Sequence, residues 1–201
     1  MEDILITKII EIESEAEKII SDSKVSASRL IEDYTVTYNL EKKQIERKYG
    51  MFIHFGVNTF HDEEWTDGSK PASTYAPTTI DAEQWIRTAK EAGMKYVILI
   101  TKHHDGFCLW DSKYTDYDVA SSPNKTNVIE EVAKACKKYH IGLGLYYSLW
   151  DRKVNGDVED WTKDETYNHY MIQQLKELIT IVSPHTPIVE FWFDGGWVKP
   201  N

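Results

Sequence analysis

From Tyr49 onward the chain alternates short, unbroken apolar runs with stretches of helical periodicity, and that alternation admits few folds. Met51-Phe-Ile-His-Phe-Gly56 reads as a buried strand. Asp81 to Ala92 reads as a helix, with Ala82, Trp85, Ile86 and Ala89 on one face, Thr78-x-x-Asp81 as an N-terminal signature and Gly93 closing it. Tyr96 to Thr101 is a second strand without polar alternation, the mark of a parallel strand covered on both faces. Asn127 to Tyr139 is a second helix, Ile141 to Tyr147 a third strand, Asp164 to Val182 a third helix and Ile188 to Phe193 a fourth strand. Four strands separated by three helices mean consecutive βαβ units and a parallel sheet.

Such a sheet is either doubly wound or part of a (β/α) barrel. No G-x-G-x-x-G follows the first strand, so dinucleotide binding has no support. Polar and aromatic residues gather just after the strand ends: His54, the His103-His104-Asp105 run, Tyr146 to Trp150, and Asp194. In a (β/α) barrel, chemistry collects at the C-terminal ends of several strands, which favours the barrel. A complete barrel needs eight strands and about 250 residues. Only 153 residues follow position 48, so the expectation is an α/β chain carrying the first four βα units of a (β/α)8 TIM-like barrel.

Residues 1–48 differ in texture and contain neither Gly nor Pro. Leu5, Ile9, Ile12, Ala16 and Ile19 recur at spacings of four and three, followed by Leu30, Ile31 and Tyr34, and the seam weakens at Ser21-Asp-Ser23 and Ser26-Ala-Ser28. This predicts one long or two shorter amphipathic helices, as an N-terminal extension to a domain spanning 49–201. Self-association, through this extension or the open face of the half-barrel, is a further expectation.

The 23 Lys and Arg against 33 Asp and Glu give a net charge of −10, which argues against a duplex nucleic-acid binder. No run of 18 apolar residues exists and the start lacks a secretory pattern, so neither a membrane span nor a signal peptide is expected and a cytoplasmic location is the default. Cys108 and Cys136 suit neither a metal-thiolate set nor a disulfide framework, and read as two reduced core thiols.

Each candidate residue has a bland reading beside the chemical one. Asp194, in Phe-Trp-Phe-Asp-Gly-Gly, is either a turn former or a nucleophile or base at a barrel mouth. His103 and His104 sit side by side on an extended run. Their side chains are expected on opposite sides, which makes a metal pair unlike them and hydrogen bonding to a polar ligand more apt. His54 lies within the first predicted strand, where a lone histidine is ordinarily a satisfied core residue. Glu64-Trp65 pairs a carboxylate with an indole: a sugar offers hydroxyls to the first and a C–H face to the second.

Lys48-Tyr-Gly-Met-Phe-Ile-His-Phe-Gly56, Glu64-Trp65, Lys102-His-His-Asp-Gly-Phe107, Tyr146-Tyr-Ser148 and Trp192-Phe-Asp-Gly195, in that order, resemble the α-L-fucosidases of glycoside hydrolase family 29. Asn58-Thr-Phe60, Phe107-Cys-Leu-Trp110, Ser112-Lys-Tyr-Thr-Asp116 and Leu149-Trp-Asp-Arg152 are most similar to the branch that prefers α-1,3/1,4-linked fucose. The resemblance implies a retaining exo-glycosidase acting on a fucosylated oligosaccharide or glycoconjugate without a metal or organic cofactor. It places the nucleophile on Asp194 and substrate contacts on His54, Glu64, Trp65, His103, His104 and Tyr146, leaving open whether Tyr146 or Tyr147 faces the pocket. The acid/base it implies is a Glu on a later loop, a role that Glu190, inside the fourth strand, does not match. A chain without that acid is expected to be weakly active, or to serve as a non-catalytic fucose-binding or assembly fragment. A metal hydrolase built on His103, His104 and Asp194 is a more distant alternative.

Overall fold

The computed structural model describes residues 2–156 and 164–196, with the side chains of 2–13, 16 and 40 outside the description. The chain divides into two units, 1–48 and 49–201. The first is a single helix, α1 (Glu2–Arg47). With no Gly or Pro to interrupt it, the weakened Ser-rich stretch stays helical rather than splitting it in two. Among its described side chains, Leu30, Ile31 and Tyr34 are exposed.

Among its described residues the second unit has four strands: β1 (Gly50–Ile53), β2 (Tyr96–Lys102), β3 (Gly142–Ser148) and β4 (Ile188–Asp194). They are parallel and lie in the order β1-β2-β3-β4. The crossovers run through α2 (Ala82–Glu91), α3 (Val128–Tyr139), and a short α4 (Arg152–Asn155) followed by α5 (Glu165–Val182). This succession of βα units is a partial α/β barrel, as the alternation predicts. The helices start where acceptor side chains cap them. Asp81 accepts from the Gln84 N–H, Asn127 from that of Glu130 and Asp164 from those of Thr166 and Tyr167. At α2 the cap is therefore Asp81 itself, not Thr78.

The sheet has two faces with different tasks. On the helical side, Val97, Leu99, Leu143 and Leu145 pack beneath Ile86, Val132 and Leu178, and both thiols, Cys108 and Cys136, are free and buried in that layer. On the concave side sit Ile98, Ile100 and Tyr146. The sheet curls enough for Phe52 on β1 to meet Trp192 on β4, with ring centroids 5.1 Å apart and near-perpendicular planes. Gly144 makes room for this: a Cβ there would stand 3.1 Å from Ile98 Cγ1. Phe52, Trp192 and Phe193 are roughly half exposed, which the expectation of an open half-barrel anticipates.

One irregularity decides where the side chains at the end of β2 point. Between Ile100 and Lys102 the register of β2 against β3 shifts, pairing Ile100 with Tyr146 and Lys102 with Tyr147. Such a bulge breaks the two-residue alternation and re-aims the side chains beyond it. Lys102 is thereby turned to the helical side, where its Nζ lies 4.3 Å from the centre of the Tyr147 ring and 2.8 Å from Asp151 Oδ2. Both side chains are fully buried. Tyr170 donates to the same Asp151 oxygen, and Asp151 Oδ1 accepts from the Val154 N–H, starting α4. Burial opposes the lysine's charge most strongly, but Asp151 together with the hydroxyls of Tyr147, Tyr167 and Tyr170 outweighs it and holds the ammonium well above its ordinary pKa.

Removing one member of this pair strands the other charge in the core. Asp151→Ala is expected to lose about 3–5 kcal/mol of stability. The neutral pair Lys102→Met/Asp151→Asn, which keeps the α4 cap, should recover at least half of that loss. Urea unfolding of the three proteins checks both statements.

Candidate active site

The strand ends converge on Asp194, the last residue of β4. Its Oδ2 accepts a hydrogen bond from the Tyr146 hydroxyl at 2.8 Å, and its Oδ1 from the Gly195 N–H at 2.7 Å. Tyr146 precedes Asp194's cross-strand partner Ser148 by two residues, so the two side chains share the concave face. Tyr147 points the other way and donates to Gln174 Oε1 at 2.6 Å. The choice between the two tyrosines is thus made by strand alternation. Burial and the neighbouring carboxylate push the Tyr146 phenol far above its ordinary pKa, so it keeps its proton and stays a donor to Asp194.

Three imidazoles line the same mouth. β1 ends at Ile53, so His54 stands beyond the strand, on its open end, rather than inside it. That corrects the reading of His54 as a core strand residue: β1 pairs with β2 only as far as Ile53 opposite Leu99. β2 likewise ends at Lys102, and the chain turns immediately, with the Gly106 N–H donating to the His103 carbonyl. His103 and His104 therefore do not diverge as on an extended run: their ring centroids are 4.3 Å apart. His103 also lies 4.7 Å from the His54 ring and stacks on Tyr146 at 5.6 Å. His104 Nε2 approaches Asp194 Oδ2 to 3.9 Å.

The rim is aromatic. Trp65, partly exposed, stands edge-on to His104 at 6.1 Å and 5.9 Å from Trp150. The Arg152 guanidinium lies 4.9 Å from the Trp65 ring and 5.2 Å from that of Trp150. Glu64, exposed on the same loop, reaches the group through its charge, which acts on His54 and His104. All seven residues singled out in the sequence thus fall in one neighbourhood. Ser148 and Trp150 belong to the polar and aromatic run at the end of the third strand, where the sequence assigns them no part of their own. Lys102 and Asp151 give no sign in the sequence of their buried pairing. Trp150 is signalled by its place just past a strand end and within Leu149-Trp-Asp-Arg152.

The histidines are held neutral. Burial lowers the pKa of all three. For His103 it does so most, with the neighbouring imidazoles adding to it, down to about 3. A charged imidazole has two N–H donors, and the buried His103 Nδ1 has no partner among the described residues. Neutral rings in such a cleft can give or take one hydrogen bond each, which suits hydroxyl groups better than anions. Among the described residues, no three His, Cys, Asp or Glu side chains come together to hold a metal ion.

A family model for α-L-fucosidases matches residues 24–201. The chain belongs to the α-L-fucosidase family. It is 46% identical over 148 residues to α-L-fucosidase 1 of Arabidopsis thaliana, a match covering 72% of this chain and 28% of that protein. A Bacteroides ovatus protein crystallised as a candidate α-L-fucosidase superposes with a TM-score of 0.70 at 42% identity, covering 81% of this chain and 27% of that one. An α-L-fucosidase of Bacteroides thetaiotaomicron, crystallised as a trapped covalent intermediate with 2-fluoro-fucosyl fluoride, does so with a TM-score of 0.62 at 36% identity, covering 74% and 39%. The chain thus spans well under half the length of the fucosidases it matches. The likeness to these structures accounts for the partial barrel.

The neutral His103 makes this cluster of strand-end residues acid-sensitive. The unfolded chain takes up a proton on that ring near its ordinary pKa of 6.5 and the folded one near 3, so its contribution to stability is complete above 6.5 and is lost as pH falls toward 3. Asp105, raised to about 6 by burial, acts with the opposite sign between 3.8 and 6. Comparing wild type with His103→Gln isolates the histidine: between pH 7 and pH 4.5 the melting temperature of the wild type should fall further than that of the variant. Equal falls would show that His103 is not buried as a neutral ring.

Proposed function

We propose that Asp194 is the nucleophile of a retaining α-L-fucosyl hydrolase, attacking the anomeric carbon to form a glycosyl-enzyme ester. The observation that carries this reading is one carboxylate, oriented by Tyr146 and Gly195 and 3.9 Å from His104, beside a connected group of three neutral imidazoles and two indoles. A carboxylate nucleophile needs fixed donors that hold its geometry, and Tyr146 supplies one of them. His54, His103 and His104 engage ring hydroxyls, contacts that strengthen as the oxocarbenium-like state develops. Trp65 offers an apolar plane to the sugar, and Glu64 a carboxylate at the rim.

The substrate on this reading is a fucosylated oligosaccharide or glycoconjugate, with the α-1,3/1,4 branch favoured by the motifs at 58–60, 107–116 and 149–152. The trapped intermediate of the Bacteroides thetaiotaomicron relative supports a covalent route at the level of the family. In retaining enzymes a second carboxyl protonates the leaving oxygen from about 5–5.5 Å away. The resemblance assigns that role to a Glu beyond the matched stretch, and the reading gives it to no described residue.

The test therefore uses a leaving group that departs without acid help. Incubation of the chain with 2-fluoro-fucosyl fluoride, followed by intact mass, should show one 2-fluoro-fucosyl adduct, mapping to residue 194 and absent from Asp194→Asn. A folded protein that gains no mass, or an adduct on another residue, would overturn the assignment of Asp194.

A further inference from the structure

The hydrogen-bond chain behind His104 fixes more than its position. Ser148 Oγ lies 2.5 Å from the Trp150 carbonyl oxygen and 2.6 Å from His104 Nδ1, and Ser148 is wholly buried. A carbonyl oxygen only accepts, so the single hydroxyl proton of Ser148 goes to Trp150. The hydroxyl oxygen must then accept from His104, which puts a proton on Nδ1. The opposite tautomer would press two acceptors, the Trp150 carbonyl and a bare Nδ1, on one hydroxyl proton, leaving a buried acceptor–acceptor contact in place of a hydrogen bond. Such an unmade bond is expensive in a core.

We infer that His104 stands as the Nδ1–H tautomer, that Ser148 is the positioning residue which fixes it, and that Nε2 therefore presents an acceptor to a hydroxyl of the bound sugar. The sugar part of this rests on the fucoside reading, and the tautomer part does not. Nε2 is 3.9 Å from Asp194 Oδ2, too far for a hydrogen bond, and both atoms are acceptors. What fits between two acceptors is a donor, and among neutral sugar groups that is an O–H. Asp194 is at the same time spared a donor from His104, since its oxygens are already oriented by Tyr146 and Gly195. Burial keeps His104 below its ordinary pKa, against the pull of Asp194, so the ring does not acquire a second proton that would erase the distinction.

The relay is anchored from outside the pocket. Trp150 precedes Asp151, whose carboxylate is tied to the buried Lys102, and the Arg152 N–H donates to the His104 carbonyl at 2.8 Å. Tyr167 donates to the Leu149 carbonyl at 2.6 Å. The carbonyl that sets the Ser148 proton is thus held on both sides, and the tautomer is a consequence of how the loop after β3 is pinned.

Long-range proton–nitrogen correlation NMR on the full chain, labelled with nitrogen-15 and with His104 assigned by comparison to His104→Gln, reads the tautomer directly. At neutral pH the wild type should show a protonated Nδ1 and an unprotonated Nε2. A protonated Nε2 or an averaged pattern in the wild type would overturn the inference without any variant. Ser148→Ala should lose the Nδ1–H pattern, and Ser148→Thr, which keeps the hydroxyl, should retain it. An unchanged pattern in folded Ser148→Ala would show that the serine does not set the proton. The rate of 2-fluoro-fucosyl adduct formation should fall roughly ten-fold in Ser148→Ala, the scale of one hydrogen bond to the sugar, and recover in Ser148→Thr. An unchanged rate with a changed tautomer would remove Nε2 from sugar recognition. A wild type that forms no adduct while showing the Nδ1–H pattern would defeat the fucoside reading and the sugar contact, and leave the tautomer standing.

Discussion

The register of β3 between its two neighbours is the constraint on which the site depends. Ser148 stands opposite Asp194 and Tyr146 opposite Trp192, so the phenol two residues back reaches the carboxylate diagonally. On the other side, the shift between Ile100 and Lys102 turns Lys102 outward. The histidines that follow it meet at the open end because the strand stops there. Moving β3 by one residue would exchange Tyr146 with Tyr147 and take the donor away from Asp194. The curl of the sheet then closes the group from the far side, where β1 delivers His54.

Charge is handled differently on the two faces. On the helical side a full ion pair, Lys102 with Asp151, is buried and cross-linked by Tyr170. On the concave side partial burial meets imidazoles, which answer by giving up their protons. The result is a pocket whose hydrogen-bonding groups are mostly uncharged around one carboxylate. Such surroundings suit the neutral sugar and nucleophile proposed for this cluster, and the paired charges behind it keep the loop carrying Trp150 and Arg152 in place.

The strand–helix succession is legible in the sequence almost to the residue: the runs at 96–101, 141–147 and 188–193 form β2, β3 and β4 with ends shifted by one position. Hydropathy carries that information because both faces of each strand are covered. The apolar run at 51–56 overshoots, since apolar character continues through Phe55 into the core after the hydrogen-bonded strand has stopped. The site residues are legible through motifs in order, whereas their mutual placement is not. No pattern in the sequence announces a bulge, so the convergence of His103 and His104 and the burial of Lys102 both run against simple alternation. Ser148 is the clearest case: a small polar residue at a strand end carries no signal of its own, and its part is visible only when the Trp150 carbonyl and the His104 ring are seen on either side of it.

The central claim is that four strand ends of this chain assemble a pocket for L-fucose around Asp194. Saturation-transfer difference NMR on the purified chain tests it most directly, because it requires binding and no turnover. The account predicts saturation of the L-fucose methyl and ring protons, lost when His104→Gln and Tyr146→Phe are combined, and no comparable transfer to the mirror-image sugar, D-fucose. Equal transfer to both enantiomers, or none to L-fucose from a folded chain, would contradict it.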